Sequence, residues 1–177
     1  MRAEISSPAV VMSCLFALSA CTETKPPEVC GEGCRYKQAL IEAIDSSDRI
    51  VVSEQSTGSE LRTKESDQAA EPVVYGRKKM GWIARQQFKR SVREISDQDQ
   101  QTFALCVAEY HHKIEFYSKG KVQSTLLICF HCGQSYWDAH RLLPPQELFK
   151  ALTPVIERAG FRTERDWVAL AAAAQKK

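Results

Sequence analysis

Cys106, His111, His112, Cys129, His131 and Cys132 fall within a stretch of 27 residues, and sulfur and imidazole at this density can do three kinds of chemistry. The first is a structural bridge. Cys106 would pair with Cys132 or with Cys129, stapling strand ends and leaving the third cysteine buried and inert. The second is a metal centre in which Cys106, His112, Cys129 and Cys132 form a Cys₃His set. The two-residue spacer between Cys129 and Cys132 lets one turn supply two thiolates to a tetrahedral zinc ion, or to the softer copper(I). The third is thiol-disulfide exchange through Cys129-x-x-Cys132, with His131 lowering a thiol pKa. Against exchange, the pair closes an extended segment and runs into Gly133-Gln134, where a redox Cys-x-x-Cys opens a helix.

These readings depend on how the surrounding segments pair. Residues 112–117 and 122–130 are rich in β-branched and aromatic side chains, and Ser118-Lys119-Gly120 between them predicts a hairpin turn. That turn opposes residues whose numbers sum to about 239, which sets His112 near Leu127 and Tyr110 near Cys129. Residues 103–107 are also strand-like, so a three-strand antiparallel meander is expected, with Cys106 brought towards Cys132. Adjacent His111 and His112 in a strand point to opposite faces, so at most one of them joins a given site.

The remaining elements follow from periodicity. Tyr36, Leu40, Ile41 and Ile44 recur at helical spacing over 35–45, and Ile50-Val51-Val52 marks a strand over 49–55. Residues 56–71 are polar and read as a loop, before a second strand begins over 72–75. Ile83, Phe88, Val92 and Ile95 form an apolar stripe over 82–95, while Arg85, Lys89 and Arg93 fall four apart on another face. Pro144 and Pro145 introduce a helix through 159, which Pro154 is expected to kink. Thr163 and Asp166 form a capping pattern before a terminal helix over 167–174, docked by Trp167 and Leu170. The expected fold is α+β: an antiparallel β-meander packed on one face by helices, in a single small domain over 35–177.

The N-terminus carries an address. Arg2 is followed by an apolar run over 9–20 that is shorter than the roughly 20 residues needed to span a bilayer, and it ends in Leu18-Ser19-Ala20-Cys21. A buried N-terminal helix is the competing reading. The box resembles that of bacterial lipoproteins, which implies cleavage after Ala20 and attachment of diacylglyceryl and N-acyl (palmitate-type) chains to Cys21. In such a family the chains hold the protein on its membrane. Thr22 stands where an Asp would resemble the inner-membrane retention signal, which implies the periplasmic face of the outer membrane. The Cys106 to Cys132 pattern is itself similar to one in bacterial exported proteins over 103–133, a resemblance that brings no activity with it.

Removing residues 1–20 leaves about 157, enough for one real core, on a linker over 21–34 that contains Pro26, Pro27, Gly31 and Gly33. Of seven cysteines, Cys14 leaves with the leader and Cys21 takes the lipid. Cys30 and Cys34 are expected to pair within the tether, which leaves an odd set of three in the domain. A balance of 24 Lys and Arg against 22 Asp and Glu gives no general pull towards nucleic acid. No Gly-x-Ser-x-Gly, His-Glu-x-x-His, P-loop or paired-carboxylate signature supports an enzyme. The expected function is a non-enzymatic, envelope-anchored binding protein with structural cysteines, needing no cofactor and meeting the membrane through its lipid and an envelope partner through its surface. Arg85, Lys89, Arg93, Tyr136, Trp137 and Arg141 are the expected contact residues. The alternative is a zinc, copper or thiol-redox protein.

Overall fold

The computed structural model describes residues 30–60 and 71–175. The lipobox, Cys21 and the first part of the expected tether lie outside the described residues, as does most of the polar loop over 56–71. Among the described residues no helix is long and apolar enough to cross a membrane.

The elements run α1 (Glu32–Ser46), β1 (Arg49–Gln55), β2 (Val74–Lys79), α2 (Trp82–Glu94), β3 (His112–Ser118), β4 (Lys121–Cys129), β5 (Gln134–Trp137), α3 (Leu148–Arg158) and α4 (Trp167–Ala174). The five strands form one open antiparallel sheet in the order β2-β1-β3-β4-β5. The fold is α+β. Strand alternation sends Ile50, Val52, Ile114, Phe116, Leu126, Ile128 and Trp137 to one face, where they meet Tyr36, Leu40 and Ile44 of α1, Phe88 and Val92 of α2, and Leu148, Leu152 and Ile156 of α3. Nearly all of these side chains are withdrawn from solvent, and this layer is the core. The outer face is polar: Arg77 donates to Glu115 and to the Tyr117 hydroxyl, both at 2.5 Å, and Lys113 reaches Glu115 at 3.2 Å.

Lys119 and Gly120 both have positive φ, 51° and 76°, which is the two-residue turn whose twist matches a hairpin. Ser118 faces Lys121 and Tyr117 faces Val122, as the expected sum of 239 requires. A bulge between Phe116 and Tyr117 then adds one residue, so His112 faces Ile128 rather than Leu127.

The third strand of the meander differs from expectation. Residues 103–107 form no strand; the partner of β4 on that side is β5, reached through a tight turn at 130–133, where Gly133 has a φ of 57°. The physical reason is the disposition of the side chains. Phe103, Leu105 and Val107 are all exposed, so the segment has no buried face to hold it in a sheet. Instead it is tied down by Gln134, whose side-chain amide donates to the carbonyls of Ala104 and Cys106.

The helix ends carry further detail. Gly31 gives α1 no side-chain cap of its own, and Asp99 from the loop after α2 accepts the Gly33 N–H at 2.6 Å instead. A Cβ on Gly33 would sit 2.9 Å from the Asp97 carbonyl oxygen, so only glycine permits this approach. The Glu32 carboxylate accepts the Leu143 N–H at 2.7 Å, which fastens the start of α1 to the loop before α3. Helix α3 continues through Pro154, and the α4 cap is Asp166 itself, accepting the Ala169 N–H at 2.9 Å.

Candidate functional site

The cysteine cluster resolves into a bridge. Cys106 is bonded to Cys132, and Cys129 is free and buried with its Sγ accepting the Cys132 N–H at 3.4 Å. Two of the four donors expected of a Cys₃His centre are thereby joined to each other. The single nitrogen donor of the set is also engaged: His112 Nε2 donates to the Arg162 carbonyl at 2.9 Å. The four expected donors are not assembled as a tetrahedral set, and Cys132 is bonded to Cys106 rather than to Cys129. Cys30 and Cys34 are bonded as expected, with Cys34 in the first turn of α1 rather than in a linker.

The expected contact surface is dispersed. Arg85 donates to the carbonyls of Ile44 and Asp45 at the end of α1, and Lys89 pairs with the Asp45 carboxylate. These two cations neutralise the carbonyl end of α1 and pin α2 to it. Arg93 is exposed. Trp137 is a core residue, 3% exposed and packed edge-on against Tyr36 at 5.1 Å, while Tyr136 and Arg141 lie at the surface. Ile83 departs from the expected apolar stripe and stands exposed beside the exposed Trp82 at the start of α2.

Beside them opens a groove of about 510 Å³. Its floor is apolar, made by Val52, Met80, Ala84, Val155, Ala159 and Phe161. Its rim carries Lys78, Lys79 and Arg158, with no carboxylate among the described residues that line it. Strand β2 leaves room for the floor at Gly76, where a Cβ would come within 2.6 Å of the Phe161 ring. Helix α2 begins at the same place, with Gly81 as a cap that has no side chain to satisfy the first N–H groups.

A second concentration of polar groups lies where β1 and β3 end. Glu54 and His112 are cross-strand partners and are 2% and 1% exposed. Arg165, from the loop before α4, donates to Glu54 at 2.5 Å, and the other Glu54 oxygen lies 3.9 Å from His112 Nε2 with no hydrogen-bond partner. Desolvation by burial pushes the His112 pKa down to about 4, with His111 and Arg165 adding to the effect and the Arg162 carbonyl opposing it.

His111 precedes the ladder, so it does not obey the alternation of β3. Both histidines meet Trp167 instead: the His111 ring is stacked on it and the His112 ring stands edge-on at 5.6 Å. His111 Nε2 donates to Glu60 at 2.5 Å. One ligand atom each from Glu60, Glu109 and His111 lie within 4.8 Å of one another. The Thr57 N–H donates to the second Glu60 oxygen at 3.0 Å, and the Ser59 hydroxyl donates to Glu109 at 2.7 Å. Sequence reasoning missed Glu54, Glu60, Glu109 and Arg165, because they are far apart along the chain and match no spacing rule. The available signal was an acidic residue, Glu54, inside a strand marked by the β-branched run Ile50-Val51-Val52.

Comparison with known proteins assigns the chain to no family: no family model matches it, and neither a curated protein nor a solved structure does.

Proposed function

We propose that this chain is a lipid-anchored envelope protein whose domain is a non-enzymatic binding module, and that its ligand is an anionic amphiphile held in the groove between β2, α2 and α3. The anchor rests on the resemblance of Leu18-Ser19-Ala20-Cys21 to a lipobox. The binding role rests on one observation, the pairing of an apolar floor with a rim of Lys78, Lys79 and Arg158 and no acid among the described lining residues. A volume of about 510 Å³ is within the range of small-molecule sites. An apolar tail on the floor would replace water next to Val52, Met80 and Phe161, while the head would meet the Lys78 and Arg158 cations and the first N–H groups of α2. The cysteines are structural in this reading.

The test is calorimetric titration of the full chain in detergent with laurate, and with dodecanol as a neutral control of the same chain length. Saturable laurate binding that Lys78→Ala and Arg158→Ala each weaken about tenfold, with no dodecanol binding, supports the reading. Absence of laurate binding, or equal binding of dodecanol, rejects it. The anchor is tested separately by metabolic labelling with a palmitate analogue, which Cys21→Ala is expected to abolish.

A further inference from the structure

We propose that Glu60, Glu109 and His111 form a binding site for a divalent transition-metal cation, for which zinc is the probe. Three donors of two kinds lie within 4.8 Å of one another, two carboxylates and one imidazole, and this mixed oxygen and nitrogen set suits zinc. The charge also matches. Two carboxylates supply acidic oxygen ligands, the kind that a dication attracts.

The donors are held as ligands are held. Glu60 and His111 have side chains only 5% and 7% exposed, so the site is largely withdrawn from water and competing hydration is limited. Glu60 is oriented by the Thr57 N–H and Glu109 by the Ser59 hydroxyl, each bonded to a carboxylate oxygen. The His111 ring is fixed by its stack on Trp167 at a centroid distance of 4.0 Å. Such outer-shell contacts are what orient the ligands of a protein metal site. Zinc bonds of about 2.0 to 2.2 Å place tetrahedral neighbours about 3.3 Å apart. The His111 to Glu60 contact of 2.5 Å must therefore lengthen slightly and its proton must leave, while the wider separations close. Side-chain rotation supplies both movements. Three protein donors leave a fourth position for water or a ligand atom.

The site is separate from the groove and from the cysteines, so the test can tell them apart. The full chain in detergent is stripped with a chelator and titrated with zinc chloride, reading heat and Trp167 fluorescence. One equivalent is expected to bind and to change the emission, because the cation joins the imidazole stacked on the indole. Ser59→Ala, which leaves all three donors, is expected to weaken binding roughly tenfold. Glu60→Gln and His111→Gln are expected to weaken it more than that, and Cys129→Ser to leave it unchanged. Circular dichroism of each variant separates loss of the site from loss of the fold, and Ser59→Ala remains informative where a ligand variant does not fold. Absence of saturable zinc binding overturns the proposal. So does binding that survives Glu60→Gln and His111→Gln in folded protein, or binding that depends on Cys129.

Discussion

The Trp167 indole lies flat on the His111 imidazole, with centroids 4.0 Å apart and planes 8° from parallel. Helix α4 has little else to hold it: Ala171 is its one buried residue and Val168 is 70% exposed. A short helix with so little burial is marginal in water, so the contacts of Trp167 with His111 and His112 and the half-buried Leu170 dock it, while the Asp166 cap stabilises its first turn. Trp167→Ala is expected to lower stability by about 2 kcal/mol and to release α4, a smaller loss than for a fully buried tryptophan because Trp167 is half-buried. Urea denaturation gives the energy, and hydrogen exchange of the 168–174 amides shows whether the helix detaches. Protection retained in the variant would show that other contacts hold α4.

Buried, neutral His112 makes the domain sensitive to acid. Its folded pKa of about 4 lies below the unfolded value near 6.5, so below pH 6.5 the unfolded chain takes up a proton that the folded one refuses. The stabilisation is complete above pH 6.5 and is lost as pH falls towards 4, by about 3 kcal/mol in all. His111 and Arg165 both disfavour the imidazolium of His112, and a Glu54 oxygen lies 3.9 Å from its Nε2. The difference in unfolding free energy between wild type and His112→Gln, measured at intervals from pH 7 to 4, should shrink across this window. A constant difference would exclude His112 as the source.

The two disulfides should differ in weight. Cys106 and Cys132 are 26 residues apart and Cys30 and Cys34 only 4, so chain entropy assigns the first about 3.5 kcal/mol and the second about 2. Cys132→Ser is expected to cost more than Cys34→Ser in a denaturation experiment under oxidising conditions. Alkylation of wild type should label Cys129 only after unfolding, because its side chain is buried. Labelling of Cys106 or Cys132 without reductant would contradict the bridge.

Arg165 and Glu54 form a pair whose members are unequal, one a third exposed and the other 2%. Arg165→Met leaves the carboxylate buried without its cation, and a cost of about 2 kcal/mol is expected, below the range for a fully buried pair because Arg165 is partly solvated. The variant also removes a positive neighbour from His112, whose pKa should rise and draw the imidazolium towards the Glu54 oxygen 3.9 Å away. Adding Glu54→Leu to Arg165→Met should recover part of the loss. Stability and an NMR titration of His112 in wild type and the two variants check both effects.

Local rules made most of the fold legible. Periodicity located α1 and α2, and the Pro144-Pro145 start located α3, to within a few residues, and Ser118-Lys119-Gly120 identified the hairpin and its register at the turn. The register beyond the bulge was not legible, since nothing in Phe116-Tyr117 distinguishes a bulged pair from a regular one. Residues 103–107 mislead because alternating apolar residues read as a strand whether or not a buried face exists for them. The choice of Cys132 over Cys129 as the partner of Cys106 was left open by the sequence, because the ladder that brought them together does not extend to 103–107, and the cluster around His111 needed Glu60, Glu109 and Trp167, which only tertiary structure brings together. Arg85 and Lys89 looked like a binding face because the helix end they neutralise lies about 40 residues away in the chain.

Both margins of the sheet are poor templates for a second copy. On one side β2 presents Arg77, Lys78 and Lys79 in succession, and on the other β5 is only four residues long. Aligning two β2 edges would set like charges opposite one another, and β5 offers too few hydrogen bonds to nucleate an added strand. Molecules crowded side by side in two dimensions, as on any surface that collects them, would therefore repel rather than polymerise.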